Sequence, residues 1–117
     1  MSEMKRIDAG NRLSEAVIYG GIAYLAGQVP EDTSLDAYGQ TQQVLQLIDN
    51  LLAQSNSDKS RILRAEIFLA DMQDYAAMNR AWDEWVIAGS APARSTVEAK
   101  LAHPDWKVEI VITAACK

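Results

Sequence analysis

The stretch Arg61–Trp85 reads RILRAEIFLADMQDYAAMNRAWDEW, and its hydrophobic period changes halfway along. From Ile62 to Ala70 apolar and polar residues alternate. Leu63, Ala65, Ile67 and Leu69 fall on one face, with Arg64 and Glu66 among those opposite, which predicts a half-buried strand. Beyond Asp71 and Asp74, either of which can cap a helix, Tyr75, Met78, Trp82, Trp85 and Val86 recur at three- and four-residue spacing. That stripe predicts an amphipathic helix, with Gly89 as its C-terminal stop. A strand handing over to a heavily packed helix implies one sheet with helices laid on it.

The same reasoning extends in both directions. Upstream, Leu35 to Ser55 carries Val44, Leu45, Ile48, Leu51 and Leu52 at helical spacing, with Gln42, Gln43, Gln46, Asp49 and Asn50 on the other side. This predicts a first helix, ended by Ser55-Asn56-Ser57-Asp58. Before it, AVIYGGIAYLAGQV (Ala16–Val29) contains two β-rich pieces, Val17 to Tyr19 and Ile22 to Ala26, around Gly20-Gly21. A Gly-Gly pair between such runs predicts a tight hairpin, because both residues accept positive φ. Ile7 belongs to a preceding edge strand, and Gln28 to Ser34 reads as a loop around Pro30. Downstream of Pro92, strands are expected at Ser95 to Ala99 and Lys107 to Ala114, with a turn at His103-Pro104-Asp105. The order is β-β-β-α-β-α-β-β, an α+β chain with an antiparallel-rich sheet and both helices on one face. Apolar residues such as Val97 and Val111 on the other face call for a covering partner.

Length and charge narrow the function classes. The 117 residues match one domain, 1–117, without linker or repeat. A net charge of −5 supplies no attraction to phosphate backbones, and the densest basic group, Lys59, Arg61 and Arg64, reads as solvated, so nucleic acid is not an expected partner. The first residues lack an apolar targeting core and no run approaches a membrane span, which makes a cytoplasmic protein the expectation. One cysteine, Cys116, builds neither a disulfide framework nor a metal site, and it lacks a histidine partner for nucleophilic work. His103, the one histidine, reads as a turn residue, so no metal is expected.

One segment carries candidate chemistry: Ala91-Pro92-Ala93-Arg94-Ser95-Thr96-Val97-Glu98, followed fifteen residues after Arg94 by Glu109. A guanidinium at a strand's start, behind a rigid proline, is a bidentate receptor for a carboxylate. Glu109 alternates with Val108 and Ile110 and so faces away from the core. On spacing alone the two residues equally make a cross-strand ion pair, worth about 0–1 kcal/mol if exposed, and that bland arrangement is the commoner one.

The runs APARSTVEA and KVEIVITAA resemble the C-terminal signature of the RidA/YjgF family of reactive-intermediate deaminases. YLAGQVP is similar to the family's strand ending in Gly-Gln-Ile/Val-Pro, and KSRILRAEIFLADMQDYAAMNRAWDEW to its strand and following helix. The likeness runs from about Ala16 onward and is nearest to the YoaB-like RutC branch. It implies a chorismate-mutase-like fold, a homotrimer around a central β-barrel, and clefts between subunits. The implied reaction is hydrolysis of enamine or imine substrates, such as 2-iminopropanoate, to 2-oxo acid and ammonia, without cofactor. By the same resemblance Arg94 holds the substrate carboxylate, Glu109 positions water, and Asn79, Gly27 and Thr96 line the pocket. Asn79 equally suits a helix-surface hydrogen bond, and Gly27 the relief of crowding at a strand end. The chain departs from the best-studied branch at Leu13, Ala26 and Thr96, where a tyrosine, a serine and a cysteine stand. A sensor of small 2-oxo or amino acids, using the same arginine without catalysis, is the alternative. Some relatives are described as translation inhibitors or endoribonucleases, against which the charge argues.

Overall fold

The computed structural model describes residues 3–117. Six strands and two long helices follow in the order expected: β1 (Lys5–Ile7), β2 (Ala16–Tyr19), β3 (Ile22–Leu25), α1 (Ala37–Gln54), β4 (Ile62–Leu69), α2 (Tyr75–Trp85), β5 (Ala93–Glu98) and β6 (Val108–Ala115). The strands form one sheet in the order β1-β2-β3-β6-β4-β5. Every pairing is antiparallel except β4 with β5, which are parallel and joined through α2. Parallel neighbours need such a crossover, so α2 fixes where β5 can lie.

The β2–β3 hairpin turns at Gly20 and Gly21, with φ of 61° and 79°, values that a side chain would strain. Helix α1 begins after Asp36, whose Oδ1 accepts from the Gly39 N–H at 2.8 Å. Before α2, Asp71 caps a short 3₁₀ turn (Met72–Asp74) by accepting from the Gln73 N–H, while Asp74 makes no side-chain cap.

Val44, Leu45, Ile48, Leu51 and Leu52 of α1 and Met78, Ala81 and Trp82 of α2 are buried together with the helix-facing residues of the sheet. On β6 those are Val108, Ile110, Ile112 and Ala114, strictly alternating. Gln40 is fully buried within this layer. Its Nε2 donates to the carbonyls of Leu35 and Asp105, both at 3.1 Å, and its Oε1 accepts from the Lys107 N–H at 2.8 Å. It thereby ties α1 to the residues that launch β6.

Four local expectations are corrected. Leu63 is 49% exposed rather than facing the core, because the ladder with β6 shifts register between Ile62 and Arg64, so Ile62 takes the buried position. Helix α2 stops at Trp85, where Val86 turns extended with ψ of 144°. Gly89, with φ of 83°, instead turns the chain in the following loop, where the Ser90 N–H donates to the Ile87 carbonyl. Strand β5 begins two residues before the expected Ser95, because its ladder with β4 starts at Ala93.

Candidate functional site split between two sheet faces

Alternation on β4 and its neighbours decides which way each candidate side chain points. Arg94 pairs with Ala65, which pairs in turn with Ile112. Ala65 and Ile112 are buried under the helices, so Arg94 lies on the helix-covered face at the sheet's edge. Its contacts agree. The guanidinium carbon sits 5.4 Å from the Trp82 ring centre, Nη2 donates to the Tyr75 hydroxyl at 3.4 Å, and Nη1 lies 4.0 Å from the Met78 sulfur. Tyr75, Met78 and Trp82 occur at i, i+3 and i+7 and form one stripe of α2. Asn79, four residues after Tyr75 and three before Trp82, belongs to the same side of the helix.

Among the described residues the one salt bridge joins Lys117 and Asp58, at 3.2 Å. Arg94 therefore has no carboxylate within ion-pair distance, although it is only partly exposed to solvent. Thr96, two residues on, shares this face, and its Oγ1 is buried without a hydrogen-bond partner. Arg94 and Thr96 thus share one face at the β5 edge, and helical spacing puts Asn79 on the side of α2 that carries Tyr75 and Trp82.

Glu109 belongs to the other face. It pairs with Phe68 across β4 and alternates with the buried Val108 and Ile110, so its carboxylate lies on the side without helices. There it meets Gly27. A Cβ placed on Gly27 would lie 2.0 Å from Glu109 Oε2 and 2.9 Å from its Cδ. The relief of crowding that a glycine offers here is relief for this carboxylate. Gln28 next to it exchanges backbone hydrogen bonds with Ile110, at 2.8 and 3.1 Å, and its Nε2 donates to Glu15 Oε1 at 3.2 Å. Gly27 and Glu109 form the second group.

The cross-strand ion pair is excluded by topology. Strand β4 separates β5 from β6, and Arg94 and Glu109 are three rungs out of step on opposite faces. Strand spacing puts their Cα atoms roughly 14 Å apart. One copy of the chain places Arg94 and Thr96 on one face of β5, and separately brings Gly27 and Glu109 together, but it does not join the two groups.

Sequence reasoning missed Tyr75 and Met78 as neighbours of Arg94 and assigned Trp82 to space filling. The available signal was that all three share the helical stripe on the element before β5. The remaining candidates behave as structural residues. His103 Nδ1 accepts from the Asp105 N–H at 3.1 Å and its ring leans on Trp106. Arg61 holds the last residues through the Ala115 and Cys116 carbonyls, Arg64 donates to the Ser95 hydroxyl, and Lys59 lies over Trp85. Among the described residues no three of His, Cys, Asp and Glu gather as metal ligands. Among the described residues no helix is long and apolar enough to cross a membrane.

A mixed six-stranded sheet with two helices on one face and an arginine–glutamate pair split across it defines a chorismate-mutase-like α+β class. The chain belongs to the RidA/YjgF family: the family model described as Endoribonuclease L-PSP matches residues 3–116. It is 67% identical over 110 residues to a RutC family protein of Haemophilus ducreyi, covering 94% of each chain. It is 54% identical to the RutC family protein YoaB of Escherichia coli, covering 94% of this chain and 96% of that one. A solved YjgF family member from Neisseria meningitidis superposes with a TM-score of 0.96 at 49% identity, covering 98% and 96% of the two chains.

Proposed function

We propose that this protein hydrolyses reactive 2-imino acids and their enamine tautomers, of the 2-iminopropanoate kind, to 2-oxo acids and ammonia. The observation that carries this reading is Arg94, a partly buried guanidinium with no carboxylate partner among the described residues of its own chain. A planar fork left unpaired at a sheet edge suits a ligand carboxylate. The working unit in this reading is a homotrimer whose open sheet faces pack around a central barrel. The apolar side chains left on that face, Tyr24, Val97 and Val111 among them, supply the surface that such packing covers. Arg94 of one copy then faces Gly27 and Glu109 of the next, and the two groups become one cleft.

The chemistry follows from that juxtaposition. Arg94 anchors the carboxylate, which fixes the adjacent C2 against the water and removes the entropic cost of their meeting. Protonation of the enamine at C3 gives the electrophilic iminium. Glu109 accepts a proton from water as the water oxygen bonds to C2. The carbinolamine so formed takes that proton at nitrogen; Glu109 then accepts the hydroxyl proton as the C–N bond breaks, ammonia leaves and C2 becomes the carbonyl carbon, and this last proton returns to solvent in place of the one taken up at C3. General-base assistance of this kind contributes about 10²–10⁴-fold. Thr96 and Asn79 line the carboxylate end, and no cofactor takes part.

The description of the family model as an endoribonuclease points to a different substrate. A net charge of −5 repels a phosphate backbone, and the densest basic group is only Lys59, Arg61 and Arg64, so RNA is not the proposed partner.

The test is release of pyruvate or ammonia from 2-iminopropanoate, generated in place from alanine by an amino-acid oxidase. Wild type is expected to accelerate release over buffer, and Arg94→Ala to lose the acceleration while melting at the same temperature. Folded wild type that leaves the buffer rate unchanged, across several imino acids, would instead favour a non-catalytic receptor for small 2-oxo or amino acids.

A further inference from the structure

Arg94 is held by α2 in a particular way. Met78 and Trp82, both buried, close the inner side of the guanidinium, so an anion reaches it from the side where Tyr75 stands. Tyr75 is 44% exposed, and among the described residues its hydroxyl has no hydrogen-bond partner other than Arg94 Nη2. A phenol has one O–H to donate and lone pairs to accept with. Here the guanidinium N–H occupies a lone pair, which turns the O–H away from the cation and toward whatever anion the cation holds. Phenylalanine at this position would fill the same space beside Met78 and supply no donor.

We propose that Tyr75 is a further binding residue of the site: its hydroxyl, positioned by Arg94, donates to the carboxylate that Arg94 grips. The ligand oxygens then meet the two-pronged guanidinium and a neutral donor from a different element, which favours a carboxylate over an uncharged carbonyl group. This rests on the reading of Arg94 as a carboxylate receptor, and not on turnover.

Pyruvate is the probe, because its binding can be titrated calorimetrically without any reaction. Wild type, Tyr75→Phe and Arg94→Ala are compared, with melting temperatures confirming that each is folded. Loss of one hydrogen bond to a charged group is expected to weaken pyruvate binding by about tenfold in Tyr75→Phe, whereas Arg94→Ala abolishes it. With 2-iminopropanoate the same variant is expected to raise KM by a similar factor and to leave kcat within about twofold, the signature of lost uniform binding. Tyr75→Phe that binds pyruvate as tightly as wild type, while Arg94→Ala does not, would overturn the proposal. If pyruvate binds and no imine is hydrolysed, the hydrolytic reading fails and the Tyr75 comparison still decides. Wild type that binds no pyruvate sinks the carboxylate receptor and Tyr75 with it.

Discussion

The edge where β5 meets α2 and the open face where β6 passes Gly27 hold the two halves of the candidate chemistry, and they are built by opposite means. At the β5 edge a cation is gripped by large side chains: Trp82 beneath the guanidinium, Met78 and Tyr75 along its rim. On the open face an anion is accommodated by the lack of one, since Gly27 leaves the space that Glu109 occupies. The first half has its cation and no carboxylate; the second has its carboxylate and no cation. The contrast is that one chain keeps the two groups apart, with β4 between them; in the proposed reading a second copy supplies the missing partner of each.

Breaking either half separately should therefore be costly and should leave the fold intact. Glu109→Gln keeps the shape and removes the base, so hydrolysis of 2-iminopropanoate is expected to fall by about 10²–10⁴-fold, with pyruvate affinity retained because the arginine half is untouched. A drop in pyruvate affinity equal to that of Arg94→Ala would show that the halves are not separable in this way. Gly27→Ala sharpens the same point by steric means. The added methyl meets the far end of a flexible side chain rather than backbone, so the carboxylate swings aside and the sheet persists. Rates are expected to fall by about 10²-fold, the penalty for misplacing a group by roughly an ångström, with little change in melting temperature. A Gly27→Ala variant as active as wild type would detach Gly27 from the site.

A smaller effect on activity and a larger one on stability are expected at Gln40. Gln40→Ala removes the partner of the Lys107 N–H and of the Leu35 and Asp105 carbonyls at a fully buried side-chain position. The cost is about 2–3 kcal/mol, which lowers Tm by roughly 10 °C. An unchanged melting curve would mean that water replaces the amide. Activity measured well below the transition should fall only a few fold, because Gln40 supports the start of β6 and touches neither half.

The comparison also shows how far the residues alone lead. Element order, the Gly20-Gly21 hairpin and the buried alternation of β6 are legible because each rests on local chemistry: positive φ, a turn pair, a period of two. The bulge that exposes Leu63 is not, because it depends on how β6 pairs with β4, and neither is the parallel ladder that draws Ala93 into β5. Gln40 looks like one more polar residue of a glutamine-rich helix, and nothing in its neighbours announces that it is buried. Arg94 and Glu109 are legible as candidates, through the resemblance far more than through spacing. Their placement on opposite faces is a matter of strand order, which inserts β4 between β5 and β6 and which no local pattern encodes.

Mixing the two inactive variants tests the shared cleft most directly. Arg94→Ala and Glu109→Gln chains, unfolded together in equal amounts and refolded, should regain about a quarter of wild-type activity if each cleft takes its arginine from one copy and its glutamate from the next. Each variant refolded alone should stay inactive. Folded, fully mixed oligomers without recovered activity would contradict the account, since sites complete within one chain cannot be repaired by a neighbour.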